Sequence, residues 1–500
     1  MLKISKDIFG LLIAATAILG CSQSEDIEVN NVAPVEEKGS GVVFRLETNI
    51  SSDAVTRTVE DSYEHIQGTP QEYQVNNARV YLYDSPTKLL VKSVLLTDLK
   101  RTGTDASGNI IYESKPISVP QGTYDIFVLA NTDKNISKSK EDEFLASIDS
   151  LTYIRGQITD ISNGIVMANR GADNAATVIA NTPTSTETSV VIKLERVLAR
   201  LDIAKSSDAY ALTDDNSKQY ATVKLDRHFV VNLPKYYYMF RHTAVQTSLD
   251  IPKWSLTENF GNVKEPNGYV IDPYFYKKTI DASNFTNQDK YYEHYLGDYT
   301  DPNNVSWTTF NPAATTPNYI TSYCLENCML APAQKNGYST GVIFDATLEP
   351  YNNLYHLNTA GTLELVTDKT KYPEVLYFHN YVFYDSPEAL AKGIGSGTIS
   401  TDDLDFYQAK KFEKSEDGAY HCYYNYWIRH QDNMNNTVMG VMEFAIVRNN
   451  LYRMLVTKIS GLGNGKLEPD PDTPDEGETK LKVVINVKPW IVRDLTNIVL

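Results

Sequence analysis

The chain has 500 residues, which exceeds one ordinary hydrophobic core and predicts two or three domains. It is 42% hydrophobic and 22% charged, the balance of a globular protein, with a formal net charge of −17. That charge excludes nucleic acid and anionic membrane surfaces as partners, because both demand basic patches. Tyrosine is over-represented, at 34 residues against 16 Phe and 4 Trp. Its ring packs while its hydroxyl stays wet, which suits half-buried strand faces and predicts a β-rich fold.

The N-terminus reads as a targeting segment. Lys3 and Lys6 precede a short apolar run from Phe9 to Leu19, too short to span a bilayer and fitting a secretory signal. The run ends Ala17-Ile18-Leu19-Gly20-Cys21, which resembles the bacterial lipobox, where a diacylglyceryl group is attached to the cysteine and cleavage precedes it. The expectation is a lipoprotein signal peptide over 1–20 with Cys21 lipidated; an ordinary signal peptide with an incidental cysteine is the alternative. Residues 22–40 are acidic and aperiodic, as a tether should be.

The first predicted strand is GVVFRLETN (41–49). Val42, Phe44 and Leu46 share one face, and Val43, Arg45 and Glu47 the other. The connector DAVTRTVED (53–61) carries a lone Arg57 and, taken alone, reads as a solvated loop. Strands follow at 78–84, 89–97, 109–119 and 122–132, separated by turn-type residues such as Gly103, Gly108 and Pro120. A helix is predicted near Lys140 to Leu151. TSVVIKLERVLARLDIAKSS (188–207) reads as one strand that closes a first domain and leads into a second. Regular short strands of this kind predict an all-β sandwich with minor helix, in preference to a parallel α/β sheet.

In the second half, strands are predicted at 220–234, 340–350, 374–384, 419–430 and 440–463, with a short helix at Pro387 to Ala391. Residues 250–320 are rich in Tyr, Asn and Pro with little periodicity and read as a loop-rich insertion. NGKLEPDPDTPDEGETK (464–480) reads as a solvated hairpin loop; its acidic spacing does not match an EF-hand. In 481–500, Leu481, Val483, Ile485 and Val487 form an apolar face, Pro489 interrupts, and a second apolar segment runs to the last residue. That segment is either the last strand of its own domain or a strand meant for another chain.

No catalytic set emerges: there is no GxSxG elbow, HExxH, phosphate-binding loop or CxxC pair. His430 and Asp432 have no accompanying nucleophile, and His430 reads as a satisfied or solvated histidine. No cofactor is expected, and the scattered histidines give no metal site near YCLENC. With Cys21 lipidated, Cys324, Cys328 and Cys422 remain, an odd number; a bridge from Cys422 to either of the others is left open.

GTYDIFVLANTD, SVVIKLERVLARLDI, YCLENCML followed by TGVIFDATLEP, YYNYWIRHQDN, MEFAIVRNNLYRMLVTKISGLG and VKPWIVRDLTNIVL, with the lipobox and the strand before Arg57, resemble the fimbrillins. These are structural subunits of the type V pili of Bacteroidales, and the likeness is strongest to the major subunit of the short (minor) fimbria. Cys328 departs from the family pattern, which has a threonine-like residue there. The resemblance implies two transthyretin-like β-sandwich domains in tandem, here 58–207 and 208–500, in a precursor held at the outer membrane by its lipid. It implies that an Arg-specific or trypsin-like surface protease cuts between Arg57 and Thr58. Residues 21–57 then leave, with the removed strand of Val42, Phe44 and Leu46. The vacated groove is filled by a neighbouring copy's donor segment, 479–500, with Val487, Trp490, Ile491, Val492, Leu495, Ile498, Val499 and Leu500. Partners are other copies, tip and anchor fimbrillins and the protease, with the product in a surface fimbria serving adhesion and biofilm. The retained C-terminal extension favours shaft over tip, and the cut site favours shaft over anchor. A tip or accessory adhesin, and a monomeric glycan-binding surface lipoprotein using the tyrosines of 266–307, are the alternatives.

Overall fold

The alternation at 41–49 forms a strand, β1 (Ser40–Thr48), in the computed structural model. The structure describes residues 40–48, 68–104, 110–150, 161–169, 177–179, 188–245, 268–280, 288–330, 333–430, 439–440, 442–475 and 481–489. After β1 come β2 (Ala78–Asp84), β3 (Leu90–Leu96), β4 (Lys100–Thr104), β5 (Ile110–Glu113), β6 (Ile117–Val119) and β7 (Gly122–Ala130). Then follow β8 (Met167–Asn169), β9 (Thr177–Ile179) and β10 (Thr188–Arg196). All ten join one sheet in the order β3-β2-β7-β8-β10-β1-β5-β4, with β6 on β1 and β9 on β7. The apolar rows of these strands meet in a single core that includes Val42, Phe44, Leu46, Val80, Ile126 and Ile192. The expected helix is present as Glu141–Ser150, its first turn acidic, as the positive end of a helix favours. It covers the sheet with Phe144, whose ring lies 4.6 Å from Tyr81 and 5.3 Å from Phe127.

The segment 188–207 is two strands. β10 belongs to the first sheet, and β11 (Ala199–Lys205) pairs in parallel with the strand Asn450–Ile459 and antiparallel with Ile320–Cys324. The chain therefore changes sheets at Val197–Leu198, both fully buried, and not after residue 207. Val197 N–H donates to Val166 O at 3.1 Å and Leu198 O accepts from Asn449 N–H at 2.8 Å, so the crossing keeps its backbone satisfied. No glycine or proline marks the switch, which is why the sequence reads as one strand.

The second half is a sandwich. One sheet holds β11, Ile320–Cys324, Asn450–Ile459 and Leu481–Pro489. The facing sheet holds β12 (Tyr210–Thr213), β13 (Gln219–Val231), Gly341–Pro350 and Tyr420–Trp427. Leu201, Tyr452 and Met454 from the first meet Val223, Phe344 and Tyr424 from the second in one core. A smaller five-stranded sheet over residues 354–413 is inserted between the neighbours Gly341–Pro350 and Tyr420–Trp427. Its helix, Pro387–Ile394, is bounded by the Ser386 hydroxyl, which accepts from Ala389 N–H, and by Gly395 in the left-handed region at φ 73°. The strand expected at 374–384 is a hairpin, with Asn380 and Tyr381 at φ 45° and 66° making the turn.

The described part of the 464–480 connection is largely exposed, as expected, but Leu467 and Asp475 are buried and Asn336 and Gly337 N–H donate to the carbonyls of Thr473 and Pro471. Cys324, Cys328 and Cys422 are buried and form no disulfide with one another.

Two consequences are measurable. Phe44 has no exposed surface, so Phe44→Ala should cost the uncut protein about 3–5 kcal/mol, read as a shift in denaturant midpoint. His228 and His430 are buried, which holds both pKa values down to about 4. A lowered histidine pKa stabilises the fold above the unfolded value and loses that contribution as pH falls from about 6.5 toward 4, about 2 kcal/mol per histidine between pH 7 and 5. Burial pulls His421 the same way, but hydrogen bonds to Asp345 and Asp417 outweigh it and raise its pKa, so its contribution has the opposite sign. Comparing wild type with His228→Phe isolates one group. The variant should lose about 2 kcal/mol less stability from pH 7 to pH 5 in chemical denaturation.

Candidate assembly site at the first strand

β1 is an internal strand. Residues Val42–Thr48 lie in parallel register with Thr188–Leu194 of β10. On the other side, Arg45–Thr48 pair antiparallel with β5, and Ser40–Val42 with β6. Ser114, just past β5, clasps the middle of the strand: its N–H donates to Phe44 O and its hydroxyl accepts from Phe44 N–H, both at 3.0 Å.

The inner face is a trough lined by Val190, Ile192 and Leu194 from β10, Ile110 and Tyr112 from β5 and Val119 from β6. Burial raises the Tyr112 phenol pKa, so the trough carries no charge at neutral pH. On the outer face Arg45 pairs with Glu113 at 3.0 Å, with both side chains about one-third exposed. Such a pair contributes less than about 1 kcal/mol, so the strand is held by its apolar row and its ladder. Among the described residues, β4 pairs with β5, and β5 and β6 pair with β1, so β1 is what links them to β10.

The trough walls were not singled out from the sequence. Val190, Ile192 and Leu194 alternate with exposed Val191 and Lys193, which marks a half-buried strand but not its partner. Of the predicted site residues, Val42, Phe44 and Leu46 fill the trough. Cys21, Arg57, Thr58, Trp490, Ile491, Val492, Leu495, Ile498, Val499 and Leu500 lie outside the described residues. Val487 is on Leu481–Pro489, paired opposite Tyr452 at the edge of its own sheet.

Other candidate chemistry resolves into packing. His430 is buried with Nδ1 2.8 Å from the Tyr452 hydroxyl; Asp432 lies outside the described residues. Within the Tyr-rich segment, Tyr292 and Leu296 are buried, and Tyr274 and Tyr291 pack with centroids 4.2 Å apart under Lys277. Among the described residues no cluster of His, Cys, Asp and Glu is placed to hold a metal, and no helix is long and apolar enough to cross a membrane.

Two family models match the chain. Residues 44–226 match the major fimbrial subunit protein FimA, and residues 417–496 match the C-terminal part of the major fimbrial subunit protein type IV, fimbrillin. Among solved structures, a fimbrilin (FimA) from Porphyromonas gingivalis W83 is 14% identical, covering 91% of this chain and 99% of that one with a TM-score of 0.43. The tip fimbrial protein Mfa3 from Porphyromonas gingivalis, with C-terminal truncation, is 11% identical, covering 90% and 99% with a TM-score of 0.38. A fimbrial assembly protein from Parabacteroides distasonis ATCC 8503 is 10% identical, covering 66% and 99% with a TM-score of 0.25. Likenesses this distant carry no argument of their own. No curated protein matches. The two family models span more than half of the sequence between them and include Phe44–Thr48 of β1, the trough residues and the closing strands, and on that match the chain belongs to the fimbrillin family of fimbrial subunits.

Proposed function

We propose that this chain is a non-enzymatic shaft subunit of a surface fimbria that polymerises by strand exchange. It is exported as an outer-membrane lipoprotein through Cys21 and cut between Arg57 and Thr58 by an Arg-specific or trypsin-like protease. It then releases β1 and accepts a C-terminal segment from the next copy. The observation that carries this reading is the internal position of β1 between β10 and β5. Val42, Phe44 and Leu46 each contribute about 1.5–3 kcal/mol of burial, and each ladder hydrogen bond about 1 kcal/mol net. An uncut chain keeps that energy to itself and has no vacancy to offer. A cut chain has a trough whose best occupant is another apolar strand.

The donor belongs beyond residue 489. Leu481–Pro489 is engaged with Asn450–Ile459 in its own sheet, so residues such as Val487 are committed. The eleven residues 490–500 reach about 36 Å when extended, against about 23 Å for the seven-residue register Val42–Thr48. Trp490, Ile491, Val492, Leu495, Ile498, Val499 and Leu500 supply its apolar side chains. Because each copy receives at one end and donates at the other, the contact is heterologous and does not close, which builds a filament ending in tip and anchor fimbrillins.

Purified precursor treated with trypsin should form a ladder of polymers, whereas Arg57→Ala precursor and a chain lacking 490–500 should remain folded monomers. Ladders from either variant at wild-type yield would sink the reading. A trypsin-treated wild-type monomer that binds glycans would support the monomeric lipoprotein instead.

A further inference from the structure

Residues 268–280 and 325–330 bring a primary amine, a carboxamide and a carboxylate together inside the protein. Lys278, on the helix Phe275–Ile280, is 1% exposed, Asp272 2% and Asn327 0%. Lys278 Nζ donates to Asp272 Oδ2 at 2.6 Å and to Asn327 Oδ1 at 2.8 Å. The buried Tyr292 hydroxyl donates to the same Oδ1 at 3.4 Å. Asn327 Nδ2 donates to Tyr338 O at 2.8 Å and to Thr340 Oγ1 at 2.9 Å, which fixes the plane of the amide. Asp272 is anchored by the N–H groups of Tyr274 and Cys328 at 2.7 and 2.6 Å. Val270, Phe275, Leu330 and Val447, on the same two segments and the 442–447 stretch, form a buried apolar cluster with Cys328, whose N–H holds Asp272.

A buried ammonium–carboxylate pair is costly, since Coulomb attraction must repay the loss of two hydration shells. A lysine amine that has passed on its proton is a nucleophile, and Lys278 Nζ is held at hydrogen-bond distance from a fixed carboxamide. We propose that Lys278 and Asn327 join in an intramolecular isopeptide bond, with Asp272 carrying the proton. Asp272 takes one proton from the Lys278 ammonium, and its acid form polarises the Asn327 carbonyl. Nζ attacks Cγ, Asp272 passes a proton from Nζ to Nδ2, and the Cγ–Nδ2 bond breaks to release ammonia. Ammonium, carboxylate and carboxamide thus become one secondary amide, one carboxylic acid and one ammonia, with no oxidant or cofactor. Two charges vanish from the interior, which drives the reaction forward.

The bond ties the 268–280 segment to residue 327, whose backbone exchanges hydrogen bonds with Ile446 in both directions at 2.9 Å. The insertion is then fastened covalently to the body that leads into the closing strands.

Intact-mass measurement of the purified full chain should fall about 17 Da below the mass of its sequence, one ammonia lost. A digest in denaturant should yield a branched peptide linking Lys278 to Asn327. Asp272→Asn and Lys278→Arg should each restore the full mass. Separate linear peptides carrying unmodified Lys278 and Asn327 in wild type would overturn the proposal, whether or not the variants fold. A 17 Da loss that persists in Lys278→Arg would overturn it too, because cyclisation at Asn327 alone has the same mass.

Discussion

An internal strand in a β-sheet serves two neighbours, so removing one divides the sheet where removing an edge strand only trims it. β1 occupies such a place, parallel to β10 on one side and antiparallel to β5 and β6 on the other. A parallel pair needs a long crossover, and here the crossover contains nearly the whole first sheet. β1 therefore meets β10 through contacts of high sequence separation, the kind that slow folding. On the proposed cut in the connector, side-chain packing and ladder hydrogen bonds are what hold the strand.

Much of this was legible in the sequence because the inner and outer faces of β1 alternate without exception, and the alternation needs no knowledge of partners. The helix Glu141–Ser150 and the capped helix Pro387–Ile394 carried their own local signals. The pairing of β1 with β10 was not legible, since either strand would look the same beside any apolar neighbour. The switch at Val197–Leu198 stayed hidden because no glycine or proline marks it. The acids and prolines of 464–475 suggested water, yet backbone contacts to Asn336 and Gly337 hold the segment down. Asn327 is far in sequence from Asp272 and Lys278, and all three are common in type, so nothing short of a fold could bring them together.

A second constraint joins the two halves. Arg448 is fully buried, with Nη2 2.7 Å from Glu326 and donating to Tyr238 O at 2.6 Å, while Arg241 meets Glu195 at 2.6 Å. Nearby, Arg196 Nε donates to Glu72 O at 2.6 Å, and the Glu72 carboxylate accepts from Arg200 and from the Tyr323 hydroxyl. Such groups add little net stability against apolar substitutes, but breaking one partner strands a buried charge, so the arrangement tolerates no partial opening. Glu72 lies just downstream of the connector that holds Arg57. On the proposed reading, Glu72 keeps the chain downstream of the cut anchored to this junction.

On the proposed reading, the subunit is held by apolar cores and buried ion pairs and gives up one internal strand, β1. The most direct test of that account is the N-terminal residue of the subunit taken from assembled surface filaments. The account predicts Thr58, with residues 40–48 absent from the polymer. Filaments built from subunits that still carry β1, whether they begin at Cys21 or elsewhere upstream of residue 40, would contradict it.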